Sequence, residues 1–191
     1  MENVEAAFRN IHQDLIDGCR SGDQRAQFQV YKLYYKAMYN TSLRIVSDEM
    51  EAEDVMQEAF LSAFEKINTY SGTVSFGAWL KRIVVNRSLD VLGKRKAIFE
   101  DIEHHAGIRD DSSDDAAYRE DLELRVEEVK ATIERLPEGY RVILSLYLIE
   151  GYDHDEIAEM LNISSSTSRS QLSRAKQKLV GELKNRKIFE E

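Results

Sequence analysis

Proline is almost missing from this sequence: Pro137 is the only one in 191 residues. Helices therefore meet their strongest breaker once along the whole chain. Cysteine is equally scarce, with Cys19 alone. One thiol builds neither a disulfide framework nor a cysteine cage for a metal, and its rarity points to a reducing, cytoplasmic setting. Cys19 follows Leu15 and Ile16 in an apolar pattern and reads as a small packing residue. No stretch approaches the roughly 20 apolar residues of a membrane helix. Residues 1–9 lack the charged start and apolar run of a secretory signal, so direct membrane insertion is not expected. A phosphate-cradling glycine loop is missing too. The histidines, His12, His104, His105 and His154, have no cysteine, histidine or carboxylate frame suited to metal binding or nucleophilic chemistry. No catalytic residue, metal site or cofactor is expected, and an enzyme is the least favoured reading.

What the chain does contain is helix-forming and charged. Hydrophobic residues make up 42% and charged residues 32%, with alanine, leucine and glutamate common. That composition favours a soluble, mostly helical protein. The net charge of −9 argues, as an average, against nucleic-acid binding. The average conceals a partition. Lys81, Arg82, Arg87, Lys94, Arg95 and Lys96 cluster with only Asp90 opposing them. Arg169, Arg174, Lys176, Lys178, Lys184, Arg186 and Lys187 cluster with only Glu182 opposing them. Between the two lies an acidic stretch that begins at Glu100 and Asp101 and runs to Asp121 and Glu123. Either basic cluster alone could be a solvated helix face. Two of them separated by an acidic connector suggest two basic binding sites.

The apolar periodicity predicts an all-α fold: two small helical domains joined by an acidic linker. The first domain covers residues 1–97. Phe28, Tyr31, Leu33, Tyr34, Tyr35 and Met38 suit a buried, aromatic-rich helix. Ser47 and Asp48 supply the start of the next helix, followed by acidic residues, and that helix ends near Asn68. Residues 69–75 read as a loop punctuated by Gly72, and a helix from about Phe76 runs into the first basic cluster. Residues 98–117 have no sustained apolar period and read as an extended linker. The second domain covers residues 118–191. Leu122, Val126, Val129 and Ile133 form one helical stripe, which breaks at Leu136-Pro137-Glu138-Gly139. A mostly apolar helix follows from Tyr140 to Leu148 and breaks at Gly151-Tyr152-Asp153.

The strongest local motif is a helix-turn-helix between Asp155 and Ala175. Ile157 and Leu161 face the core one turn apart, and Ala158 is small enough for a second helix to approach. Asn162 occupies the turn, where a left-handed backbone is often required. Ser164 or Ser165 caps the second helix. That helix presents Ser165, Ser166, Thr167, Arg169, Ser170, Gln171, Ser173 and Arg174. Short hydroxyls approach phosphates, while arginine and glutamine read base edges in a major groove. A plain helical hairpin with a polar outer face is the bland alternative; the turn, the cap and the basic face coincide against it.

Leu136-Pro137 through Leu179, with Glu156-Ile157-Ala158 and Ser170-Gln171-Leu172-Ser173-Arg174-Ala175, resembles the C-terminal promoter-binding domain of bacterial RNA polymerase sigma factors. The first domain resembles their other domain independently. The run from Glu51 to Phe60 looks like the family's polymerase-binding helix, and the run from Phe76 to Asp90 looks like its promoter-melting helix. With only these two domains, the plan is similar to the extracytoplasmic-function group of alternative sigma factors.

The resemblance implies core RNA polymerase and promoter DNA as partners, with an anti-sigma factor as a further one. It implies duplex contact at the −35 element by the eight helix residues from Ser165 to Arg174 named above. It implies contact with the opened −10 element by Ser71, Gly72, Arg82, Asn86, Arg87 and Asp90. In that scheme the loop at residues 70–75 holds a flipped base, and Asn86 and Asp90, one turn apart, bond to base edges. Asp54, Gln57, Glu58 and Phe60 would be the exposed polymerase-binding residues. Trp79, lying among Leu80 and Ile83, is expected to pack in the core and not to stack on a base. The acidic linker would be held extended by self-repulsion. Two departures stand out: Ser168 sits where the family usually has an aliphatic residue, at a half-buried position, and Gln171 sits where a basic one is frequent. The main rival is a regulator that binds duplex DNA without polymerase. It explains the helix-turn-helix but gives the Glu51–Phe60 run and the Asn86/Asp90 pair no task.

Overall fold

A computed structural model describes residues 12–94 and 119–189, and the chain divides into two compact units, Met1–Leu92 and Gly93–Glu191. The acidic linker at 98–117 lies outside the described residues. Among those residues every regular element is helical, as the periodicity predicts.

The N-terminal unit holds α1 (Gln13–Arg20), α2 (Gln24–Val46), α3 (Glu49–Glu65) and α4 (Phe76–Lys94), with a short 3-10 turn at Ile67–Thr69. Side-chain caps set the helix starts. Asp23 accepts from the Arg25 amide at 2.8 Å, and Asp48 accepts from the Glu51 amide at 2.9 Å. Ser47 stops α2 in the left-handed region at φ 57°, so the Ser47-Asp48 pair ends one helix and begins the next. Glu49 and Glu51 in the first turn of α3 complement its macrodipole.

The core of this unit draws Ile16 from α1, Val30 and Met38 from α2, Val55 from α3, and Leu80 and Val84 from α4. Phe76 lies at the centre of an aromatic group, with its ring centre 5.5 Å from those of Tyr34, Tyr70 and Trp79. Trp79 is half-buried in this group, in keeping with the packing role expected of it. Helices α2 and α4 also meet through a buried polar contact, where the Ser88 hydroxyl lies 3.0 Å from that of Ser42. One expectation fails on α2. Phe28, Leu33 and Tyr35 are exposed, because this 23-residue helix turns only one stripe, including Ala26, Val30, Met38 and Ile45, toward the core.

Cys19 is buried. Burial, and then the nearby Asp23 carboxylate, push its thiol above the ordinary value, which leaves the reactive thiolate scarce. Next to it, Gly18 marks the closest approach of α1 and α2: a β-carbon placed there would stand 2.6 Å from the Ala26 β-carbon.

The C-terminal unit holds α5 (Arg119–Glu134), α6 (Glu138–Leu144), α7 (His154–Leu161) and α8 (Ser165–Phe189). Its core includes Ile133, Leu136, Val142, Leu146, Ile157 and Leu172. On α5 the expected stripe is only partly used, since Ile133 is buried and Val126 exposed. The single helix expected over 140–148 is divided. After Leu144 it widens into a π turn, Ser145–Ile149, closed by the Glu150 amide donating to the Ser145 carbonyl at 2.9 Å.

Two outcomes follow. Gly18→Ala should destabilise the N-terminal unit by about 1–3 kcal/mol through overpacking, read as a lower urea midpoint. The native Cys19 thiol should react slowly with iodoacetamide at neutral pH and rapidly in denaturant. Because its folded pKa is raised, the neutral thiol's contribution is complete below the unfolded value and is lost as pH rises through the folded one.

Candidate functional site

The helix-turn-helix forms as the sequence predicts, and its turn can be followed atom by atom. Asp153 caps α7 by accepting from the amides of Asp155 at 2.9 Å and Glu156 at 2.8 Å, while Glu156 accepts in return from the Asp153 amide at 3.0 Å. This reciprocal box satisfies amides that would otherwise face solvent at the helix start. Asn162 ends α7 in the left-handed region, at φ 52° and ψ 46°. Ser164 is the cap of α8: its hydroxyl accepts from the Thr167 amide at 3.0 Å. The same hydroxyl lies 2.8 Å from that of Ser166 and 2.7 Å from that of Thr167, giving the start of α8 a compact polar rim.

The eight residues expected on the reading face of α8 do not all reach it. Ser166, Arg169, Ser170 and Ser173 are exposed, and Thr167 and Arg174 half-buried. Ser165 is half-buried with its hydroxyl inside and without a partner. Gln171 is a correction: it is only 7% exposed and its amide oxygen is buried without a partner, so it faces the core and does not present itself to a groove. The helical period explains this, since Ser168, Gln171, Leu172 and Ala175 form the inward stripe of α8. Ser168, expected to be half-buried, is completely buried.

A second polar surface lies on the N-terminal unit. Arg82, Asn86 and Asp90 recur every four residues along the exposed side of α4, with Arg87 exposed beside Asn86. The opposite side carries the buried Leu80, Val84, Val85 and Ser88. The loop before α4 is held at several points. The Tyr70 hydroxyl donates to the Val74 carbonyl at 2.6 Å, and Arg20 donates to the Tyr70 carbonyl at 2.8 Å. Ser75 accepts from the Ala78 amide at 3.2 Å, starting α4. Gly72, at φ 79°, takes the left-handed turn at the tip, where Ser71 and Thr73 bond to each other at 3.0 Å. A short loop with fixed ends and exposed hydroxyls is a plausible geometric cradle for one small planar group.

The third surface is α3. Asp54, Gln57 and Glu58 are exposed as expected. Phe60 is a second correction: it is 3% exposed and its ring packs 4.9 Å from Tyr31, centre to centre. Its place on the surface is taken by a neighbour that periodicity did not single out, Leu61 at 65% exposure. Leu61 and the 58%-exposed Phe28 flank an open groove of about 350 Å³, which Tyr31, Phe64, Gln24 and Gln57 also line. The signal for it in the sequence is a phenylalanine one residue off the buried stripe of α2.

The sequence reading also missed His154, which it set aside as having no catalytic frame. Its Nδ1 lies 2.9 Å from the Ser168 hydroxyl, and its ring stacks on Tyr147 with centres 4.9 Å apart. Nothing in the spacing of the motif signals a contact across fourteen residues. Among the described residues no group of acidic, histidine and cysteine side chains could hold a metal ion, and no helix is long and apolar enough to cross a membrane.

Comparison with known proteins agrees with this layout. Residues 30–98 match the family model for sigma-70 region 2, and residues 126–179 match that for sigma-70 region 4. The chain is 32% identical to the RNA polymerase sigma-H factor of Pseudomonas aeruginosa over 176 residues, covering 86% of this chain and 90% of that protein. It is 30% identical to the extracytoplasmic-function sigma-E factor of Escherichia coli K12, again over 86% of this chain and 90% of that protein. Among solved structures it resembles CnrH, determined in complex with the cytosolic domain of CnrY, with a TM-score of 0.54 and 24% identity over 91% of this chain and 97% of that one.

Two substitutions probe the local geometry. Ser164→Ala should cost about 1 kcal/mol through the lost cap, seen as a lower thermal midpoint. Gln171→Leu should hold or raise that midpoint, because it removes a buried oxygen without a partner.

Proposed function

The chain belongs to the extracytoplasmic-function sigma factors of RNA polymerase, and from that membership we propose how its parts divide the work of an alternative sigma factor. The protein binds core RNA polymerase and directs promoter-specific initiation of transcription. Residues 1–97 serve polymerase binding and the −10 element, residues 118–191 serve the −35 element, and residues 98–117 join them as an extended acidic connector.

At the −35 element α8 enters the major groove of duplex DNA with its N-terminal turns leading. Arg169 reads a base edge, for which a bidentate contact to guanine is the strongest option. Ser166, Ser170 and Ser173 approach phosphates, and Arg174 contributes from its half-buried position. Lys178, paired with Glu182 at 2.9 Å, is left with less charge to offer the DNA.

At the −10 element the row Arg82, Asn86 and Asp90 faces separated strands. Asn86 and Asp90 bond to base edges, Arg82 and Arg87 neutralise the backbone, and the loop with Ser71 and Gly72 receives one base turned out of the stack. This α4 row carries the proposal, because a regulator that reads only closed duplex has no use for a second polar face beside a base-sized loop. Polymerase docks on α3 through Asp54, Gln57 and Glu58, with the neighbouring Leu61–Phe28 groove taking apolar side chains from a helix of the large catalytic subunit. The chain supplies no catalytic group of its own; bond formation belongs to the polymerase. Its place of work is the cytoplasm, and an anti-sigma factor is its expected inhibitor.

The test is abortive transcription with bacterial core polymerase on fragmented genomic DNA, with and without this protein. Protein-dependent starts that share two short motifs one spacer apart are expected. Tight binding to a duplex operator by the protein alone, with no directed start, would instead establish the duplex-binding regulator. Once the promoter is known, Arg169→Ala should remove about 1–3 kcal/mol of discrimination at one −35 base pair, measured by competition between promoters. Asn86→Ala should slow opening of a closed promoter, and a template already unpaired at −10 should restore most of the rate.

A further inference from the structure

Ser168 is the one hydroxyl on α8 that is both fully buried and bonded to another helix: its oxygen lies 2.9 Å from Nδ1 of His154, the first residue of α7. A hydroxyl can donate or accept, so the contact holds with either tautomer of the imidazole. The histidine is held from two further directions. Its backbone begins α7 directly after the Asp153 cap, and its ring lies on Tyr147 with 28° between the planes. Tyr147 belongs to the π turn, and its ring also faces the Lys176 ammonium, 5.6 Å from the ring centre. Lys176 stands two turns beyond Ser168 on α8. The Tyr147–His154 pair therefore touches α8 at two points.

The position of Ser168 matters because of its neighbours. Thr167 and Arg169 flank it, so the residues that face solvent are fixed in angle by where the Ser168 side chain points. An aliphatic contact at this position would resist separation of the helices while tolerating small rotations. A hydrogen bond is directional and weakens steeply as its angle opens. Resting on the assignment of α8 to the −35 element, we infer that His154 and Ser168 are a positioning pair. Their hydrogen bond sets the rotation of the recognition helix and so contributes to −35 specificity without touching DNA.

The full chain with core polymerase tests this on the promoter found above and on derivatives with single −35 substitutions. The quantity read is the ratio of run-off transcription between the two. Ser168→Ala should lower the ratio by about fivefold, the worth of one hydrogen bond. His154→Asn places an amide near the position of Nδ1 and should keep the ratio. His154→Gln extends its amide toward the position of the other ring nitrogen and should lose it. Initiation from a template already unpaired at −10, which depends on the other unit, should stay unchanged throughout. The inference is overturned if Ser168→Ala keeps the ratio, with or without a lower thermal midpoint, or if the two amide variants behave alike. If the wild-type chain directs no start at all, the −35 assignment itself fails, and the role given to this pair falls with it.

Discussion

In a chain with a single proline, helices stop mainly where a polar side chain offers the backbone a better bargain than another turn. This constraint organises both units. Asp23, Asp48, Asp153 and Ser164 each accept from amides that an uninterrupted helix would bond internally, while Ser47 and Asn162 take up the left-handed conformation that ends the preceding helix. Remove these residues in thought and α2 runs into α3 and α7 into α8. The angle between α7 and α8, and with it every surface assigned to DNA in the C-terminal unit, depends on a few hydrogen bonds between 2.8 and 3.0 Å long.

Capping is also what made much of the fold legible. The residue types that cap helices are few and their chemistry is local, so the Ser47-Asp48 boundary and the Asn162 turn could be read directly from sequence. Burial at the edge of a stripe could not. Phe28 and Phe60 have the same side chain and similar helical surroundings, yet one is exposed and the other inside. A phase difference of one residue decides that, and the phase is set by which neighbouring helix arrives where. Gln171 shows the same effect in reverse: its polarity suggested the surface, but the inward stripe of α8 claimed it. The His154–Ser168 contact was illegible for another reason. It joins residues from two different helices, and no local pattern encodes such a pairing.

The two units solve the problem of burial differently. The N-terminal unit concentrates aromatic rings around Phe76 and confines polarity mainly to small hydroxyls, as in the Ser42–Ser88 contact. The C-terminal unit buries Arg141, Ser145, Ser168 and Gln171 beside its aliphatic core. Buried polar groups cost more than apolar ones when their partners are imperfect, and they are directional when the partners are good. A unit whose recognition helix must hold one orientation has a use for that directionality. A unit that must present a broad face to a large partner does better with a stiff aromatic core.

The π turn at Ser145–Ile149 has the geometry of an α-helix carrying one residue too many. In genetic terms it marks a place where the chain can accommodate the gain or loss of a codon. Deleting one residue here would let the helix close into regular turns, but everything downstream would be carried round by about 100° relative to what precedes it, since 3.6 residues make a turn. Tyr147 would leave His154, and the surface behind the recognition helix would change while each helix kept its own hydrogen bonds. A length change in this segment therefore offers a simple route by which related chains could alter promoter choice while leaving the DNA-facing residues of α8 untouched.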